Sequence, residues 1–223
     1  MKLCLAFVHG WGLDASFFDP LREYLPEVYS VTFDLGFHGQ PSSPPLPDNV
    51  PVIAVGHSTG FLWLLHHRPS RWKALVAVNG FSRFIEAADY RPAVAAKVLD
   101  RMIFRFTAAP RAVAAEFLGR CGLPTGPEFT ETLDREACAA GLEWLRGWDE
   151  RETLARDPSP LLALAGRNDP IVTPAMTEQC FDGRPGTRLC WHQGGGHLLP
   201  VTDPAWCARH LRDFLADLSL DPE

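Results

Sequence analysis

The sequence lacks any apolar run near the roughly 18 to 20 residues that a membrane-spanning helix needs, which excludes a helical membrane protein from its expectations. No leader is expected: six apolar residues follow Met1-Lys2 before His9-Gly10-Trp11-Gly12, too few for a secretory signal. No cysteines pair as C-x-x-C. Cys4, Cys121, Cys138, Cys180, Cys190 and Cys207 are scattered, and without a leader they read as buried free thiols rather than a disulfide set. Together these omissions predict a cytoplasmic protein. Positive charge is also short, with 21 Lys and Arg against 27 Asp and Glu and a formal charge of −6, which argues against nucleic acid as a partner. No metal site and no cofactor are expected.

What is present is an ordinary soluble composition, 46% hydrophobic and 22% charged. At 223 residues the chain fits one domain with a substantial core and room for an insertion.

The chain is organised around Pro51 to Arg68. Pro51-Val52-Ile53-Ala54-Val55 is a short β-branched apolar run, the mark of a strand buried on both faces. Phe61 to Arg68 has no glycine or proline and is halted by Pro69, which predicts a helix. Between them lies Gly56-His57-Ser58-Thr59-Gly60. G-x-S-x-G at a strand-to-helix turn strains the serine backbone, clears both sides with glycine and lifts the hydroxyl above the sheet edge, beside a helix N-terminus. As a bare pentapeptide the pattern recurs by chance; the flanking strand and helix give it meaning.

Further strands are predicted at Leu3–Val8, Tyr29–Phe33, Ala74–Val78, Pro160–Ala165 and Thr187–Trp191. Alternation with helices makes this a doubly wound, mostly parallel α/β sheet of about six strands. Parallel neighbours need a crossover, usually a helix. Pro41, Pro44, Pro45 and Pro47 forbid one after Asp34, so an extended connection is expected, with His38 as an exposed loop histidine. From Phe81 to Thr153 no buried strand is evident. Helical stretches at roughly 92–106, 110–120 and 128–148 predict a helical lid spanning 81–153, inserted into a core of 1–80 and 154–223. A C-terminal helix is predicted from Trp206 to Leu218. Phe81, Phe84, Trp144 and Trp148 are the candidates for facing a substrate, against the plainer reading of such aromatics as core.

Ligands of open α/β sheets gather at the carboxyl ends of strands. Three residues of one chemistry fall there: Ser58 at the turn, Asp169 beyond the fifth strand, and His197 behind Gly194-Gly195-Gly196 beyond the sixth. A serine hydroxyl is a weak nucleophile until a histidine takes its proton. An acid on the other imidazole nitrogen fixes the tautomer and stabilises the imidazolium. Singly, Asp169 reads as a turn acid and His197 as a capping histidine; the order Ser, Asp, His joins them. Gly10 allows the following N–H to point at an oxyanion, so the backbone N–H groups of Trp11 and Thr59 are the candidate oxyanion hole, with the Trp11 indole lining the pocket.

On these motifs the whole chain resembles the α/β-hydrolase superfamily, and within it the pimeloyl-[acyl-carrier protein] methyl ester esterase family. The likeness rests on His9-Gly10-Trp11-Gly12-Leu13, on Gly141-Leu142-Glu143-Trp144-Leu145 with Asp149, and on Gly194-Gly195-Gly196-His197 through Pro204. The chain departs from that pattern at His57 and Thr59, where the family usually has Trp and Leu. It also lacks the early strands and the helix before the elbow strand. The resemblance implies a minimal α/β-hydrolase with a helical lid after the fourth strand. Its implied activity is that of a serine carboxylic-ester hydrolase working through an acyl-enzyme, in biotin synthesis, without metal or cofactor. It also implies an acyl-carrier protein docked on basic lid residues. Seven basic residues stand against four acids between Gly80 and Pro127, and Arg101, Arg105 and Arg111 form the candidate docking set; a solvated helix face is the plainer reading. A carboxylesterase or thioesterase of another small acyl substrate is the alternative within catalysis, and a non-catalytic ligand-binding homologue is the one outside it. A monomer is expected.

Overall fold

Position in one sheet decides which strands are apolar throughout. In the computed structural model, which describes residues 3–67, 72–123 and 131–218, six strands form a wholly parallel sheet. They are β1 (Cys4–Val8), β2 (Tyr29–Phe33), β3 (Val52–His57), β4 (Trp72–Val78), β5 (Leu161–Gly166) and β6 (Thr187–His192), in the order β2-β1-β3-β4-β5-β6. Inner strands of a parallel sheet are covered on both faces, so they lack alternation. β1, β3 and β5 are buried at every position, while the edge strands β2 and β6 stay partly exposed.

The winding reverses between β1 and β3: β2 lies on one side of β1 and all later strands on the other. Binding crevices of open α/β sheets form at such a reversal. Here the loop after β1 and the turn after β3 flank it.

The β2–β3 crossover carries no helix, as its prolines require, and is pinned by an antiparallel bridge between Asp34 and Ser42. His38 departs from the expectation of an exposed loop histidine. It is half-buried, with Nε2 2.9 Å from the Gly12 carbonyl oxygen and Nδ1 3.0 Å from Thr132 Oγ1.

The helices are α1 (Asp19–Glu23), α2 (Thr59–His67), then α3 (Ala96–Ala108), α4 (Pro110–Cys121), α5 (Arg135–Gly147) and α6 (Arg151–Arg156) between β4 and β5. α7 (Pro174–Phe181), α8 (Leu199–Thr202) and α9 (Pro204–Asp217) complete the chain. The stop signal at Pro69 and the start of the stretch expected at 128–148 lie outside the described residues. α9 begins two residues before Trp206 because Asp203 caps it, its carboxylate accepting the Trp206 N–H, and Pro204 sits where no N–H is needed. No helix among the described residues is long and apolar enough to cross a membrane.

Candidate active site

Ser58 separates β3 from α2 with a φ of +53°, a left-handed value that residues with a Cβ seldom hold. Close packing imposes it. A Cβ on Gly56 would lie 2.4 Å from Phe61 Cα, and one on Gly60 would lie 2.2 Å from the Val8 carbonyl oxygen, so neither position admits a side chain. The Ser58 N–H donates to the Val78 carbonyl at 3.0 Å, and the Ser58 carbonyl accepts the Phe61 N–H at 3.0 Å. The serine is thus fixed between two strands and a helix start whose dipole favours negative charge.

Beyond β5, the Asp169 carboxylate is buried and fully used. Oδ1 accepts the N–H groups of Ile171 and Val172 at 2.7 and 2.9 Å, and Oδ2 lies 2.7 Å from His197 Nδ1. An ionised carboxylate only accepts, so Nδ1 of His197 holds the proton and Nε2 is left bare, the form in which an imidazole takes a proton. The His197 loop is pressed onto the end of β5: a Cβ on Gly166 would sit 2.3 Å from the Gly195 carbonyl oxygen. The Ser58 hydroxyl makes no hydrogen bond among the described residues. Elbow and histidine loop meet instead through His57, whose ring centroid is 4.8 Å from that of His197.

Gly10 brings the loop after β1 against the elbow, since a Cβ there would lie 3.2 Å from Ser58 Cβ. The Thr59 N–H directly follows Ser58 and the Trp11 N–H directly follows Gly10, and neither has a backbone partner among the described residues. The Trp11 indole, the expected pocket wall, is anchored on the helices between β4 and β5. It is 2% exposed, donates Nε1–H to the Cys138 carbonyl of α5 at 2.8 Å, and meets Phe106 of α3 and Phe117 of α4 edge-on at 5.8 and 5.2 Å. Gly141 allows this, because a Cβ there would lie 2.6 Å from Trp11 Cδ1. The indole is a peg joining three helices between β4 and β5 to the loop after β1.

Phe81 and Phe84 are buried together, centroids 5.0 Å apart, just beyond β4. Trp144 and Trp148 lie elsewhere. Trp148 stacks on His66 at 3.8 Å and Trp144 on Trp148 at 5.0 Å. His66 lies in the last turn of α2, eight residues past Ser58, which sets this stack about 12 Å along the helix axis from the serine at 1.5 Å per residue. Of the basic candidates, Arg105 is paired with Glu116 at 2.6 Å and Arg111 donates to the Glu131 carbonyl at 3.3 Å. Arg101 is exposed and has no carboxylate partner among the described residues.

Two residues escape sequence reasoning. Asn79 directly follows β4 at φ +46° and bonds to both the histidine loop and the end of β5. His57 bonds to the His197 carbonyl. An asparagine before Gly80 at a strand end is the available signal for the first, since asparagine tolerates the left-handed region.

No family model matches the chain. An esterase from Exiguobacterium antarcticum superimposes with a TM-score of 0.83 at 16% identity, over 97% of this chain and 92% of that one. A hydrolase from Pseudomonas aeruginosa PA01 gives 0.78 at 24% identity, over 96% and 90%. By fold, this is an α/β-hydrolase. Sequence relatives are nearer. The pimeloyl-[acyl-carrier protein] methyl ester esterase of Legionella pneumophila strain Corby is 31% identical over 78% of each chain, and that of Neisseria meningitidis strain FAM18 is 26% identical over 93% of this chain and 91% of its own. The chain belongs to the pimeloyl-[acyl-carrier protein] methyl ester esterase family, a family of carboxylic ester hydrolases.

Proposed function

We propose that the chain hydrolyses its ester by a serine mechanism and that its substrate is a pimeloyl methyl ester carried on acyl-carrier protein, in biotin synthesis. The observation that supports the mechanism best is the Asp169–His197 contact at 2.7 Å, with Oδ1 of the acid anchored on two backbone N–H groups beside a strained Ser58. His197 Nε2 takes the Ser58 proton as Oγ attacks the ester carbonyl. The Trp11 and Thr59 N–H groups hold the oxyanion, and Asp169 steadies the imidazolium. His197 then protonates the departing methoxide. A water molecule, deprotonated by the same imidazole, releases the acid from Ser58.

Ser58 is 4% exposed and His197 1%, so a carrier-borne chain reaches them only when the insertion shifts, which is the sense in which residues 81–153 act as a lid. The partner reading rests on α3. Lys97 and Arg101 share an exposed face with Phe104, which is 78% exposed, and with Val98. Arg105 and Arg111 are occupied within the insertion, so the docking set centres on Arg101 and Lys97 around Phe104. The test is a comparison of carrier-linked pimeloyl methyl ester with p-nitrophenyl esters and thioesters of rising acyl length. The carrier-linked methyl ester is expected to give the highest kcat/KM. A p-nitrophenyl ester or thioester surpassing it overturns the substrate assignment.

A further inference from the structure

We infer that Asn79 and His57 are positioning residues that clamp the backbone carbonyl of His197 and so hold its imidazole over the elbow. The inference rests on the reading of Ser58 and His197 as nucleophile and base.

The His197 carbonyl oxygen receives two buried hydrogen bonds, from Asn79 Nδ2 at 2.8 Å and from His57 Nε2 at 2.9 Å. The second Nδ2 hydrogen of Asn79 goes to the Gly196 carbonyl at 3.0 Å, and its Oδ1 accepts the Gly166 N–H at 2.9 Å. One side chain, 2% exposed, therefore ties the end of β4 to the histidine loop and to the end of β5, just before the turn that presents Asp169. The surroundings fix the amide's orientation, with carbonyls on its nitrogen side and an N–H on its oxygen side. The backbone at φ +46° aims it there.

His57 completes the clamp from the other side. A carbonyl only accepts, so Nε2 carries the hydrogen, and Nδ1 is buried with no hydrogen-bond partner among the described residues. Burial, reinforced by the neighbouring His197, holds His57 neutral, with its pKa well below the ordinary 6.5. It is a fixed donor rather than a second base. His57 is bonded through the peptide to Ser58, so the path from nucleophile to base is one peptide unit and one hydrogen bond. The segment being held, Gly194-Gly195-Gly196-His197, has three glycines and little stiffness of its own. A misplacement of about 1 Å at a reacting centre costs on the order of 10²-fold in rate.

A purely structural role would lower thermal stability and leave turnover of the folded enzyme alone. The two readings separate in His57→Leu, His57→Gln and Asn79→Gly. Glutamine keeps an N–H donor that leucine removes, and glycine keeps the positive φ while deleting all three bonds of Asn79. Each variant is assayed below its unfolding temperature for kcat and KM on a p-nitrophenyl ester and for the rate of fluorophosphonate reaction. Expected are losses of roughly 10- to 100-fold in kcat and in labelling rate for His57→Leu and Asn79→Gly, with KM changed by less than about threefold and His57→Gln returning close to wild type. Equal kcat loss in His57→Leu and His57→Gln overturns the clamp, as does wild-type kcat in folded Asn79→Gly. Should Asn79→Gly not fold, the His57 pair decides alone. A wild-type protein that neither reacts at Ser58 nor turns over the ester removes the underlying serine reading first, and the clamp with it.

Discussion

Replacing Asp169 with asparagine changes one oxygen for an NH₂, and the structure dictates which. Oδ1 sits against two backbone N–H groups, Ile171 at 2.7 Å and Val172 at 2.9 Å. An amide NH₂ placed there would meet two donors, so the asparagine oxygen must take that side and its nitrogen must face His197 Nδ1. Nδ1 is then forced to accept, and the proton moves to Nε2. That tautomer cannot take the proton from Ser58, and no carboxylate remains to stabilise an imidazolium. The expected loss in kcat is about 10⁴-fold, or roughly 5.4 kcal/mol of transition-state stabilisation, with KM little changed. The anchoring bonds survive, so the fold should persist. Steady-state hydrolysis of a p-nitrophenyl ester, beside circular dichroism of the same preparation, measures both. An Asp169→Asn variant within tenfold of wild-type kcat would refute the reasoning and move the search for the acid elsewhere.

Trp11→Phe deletes the indole N–H and trims the peg between α3, α4 and α5, while the Cys138 carbonyl keeps its place in the α5 ladder. A stability loss of about 2–4 kcal/mol is expected from denaturant unfolding, and an unchanged midpoint would show that these helices are held elsewhere. Asp149 is kept at about 2, against its ordinary 3.8, by hydrogen bonds from Arg151 and, with burial opposing, from Arg83. A carboxyl depressed in the fold contributes stability above 3.8 that is lost as pH falls towards 2. Asp149→Asn should therefore flatten the fall in melting temperature over that window, and an unaltered slope contradicts the assignment. Arg101→Glu should slow turnover of the carrier-linked ester in a salt-dependent way and spare a p-nitrophenyl ester, since exposed charges are screened over about 8 Å at physiological ionic strength. Equal effects on both substrates leave Arg101 as ordinary surface.

Much of the frame was legible because burial in a parallel sheet leaves a direct mark, the unbroken apolar run. Val52 to Val55 and Leu161 to Ala165 carry it, and the proline-studded crossover was equally plain. The candidate triad was legible for a different reason: each member stands in a loop at a strand's carboxyl end, with glycines where the backbone must approach closely. α7 was less visible, its start marked only by Thr173 capping ahead of Pro174. The destinations of the large aromatic side chains were not legible. Trp11 and Trp148 are equally aromatic in sequence, yet one pegs the helices between β4 and β5 at the sheet's reversal point and the other stacks on His66. Nothing local separates them, because their partners Cys138 and Glu150-flanked His66 come from distant segments. Asn79 shows in the sequence only as an asparagine at a strand end, and its three bonds reach across more than eighty residues of sequence.

The serine mechanism is tested most directly by treating the protein with a fluorophosphonate and mapping the adduct by mass spectrometry. One phosphonyl group on the peptide containing Ser58 is expected in the wild type, none in Ser58→Ala, and hydrolysis in that variant lower by about 10⁴-fold or more. An adduct on another residue, or a Ser58→Ala variant that keeps ester turnover within tenfold of wild type, would contradict it.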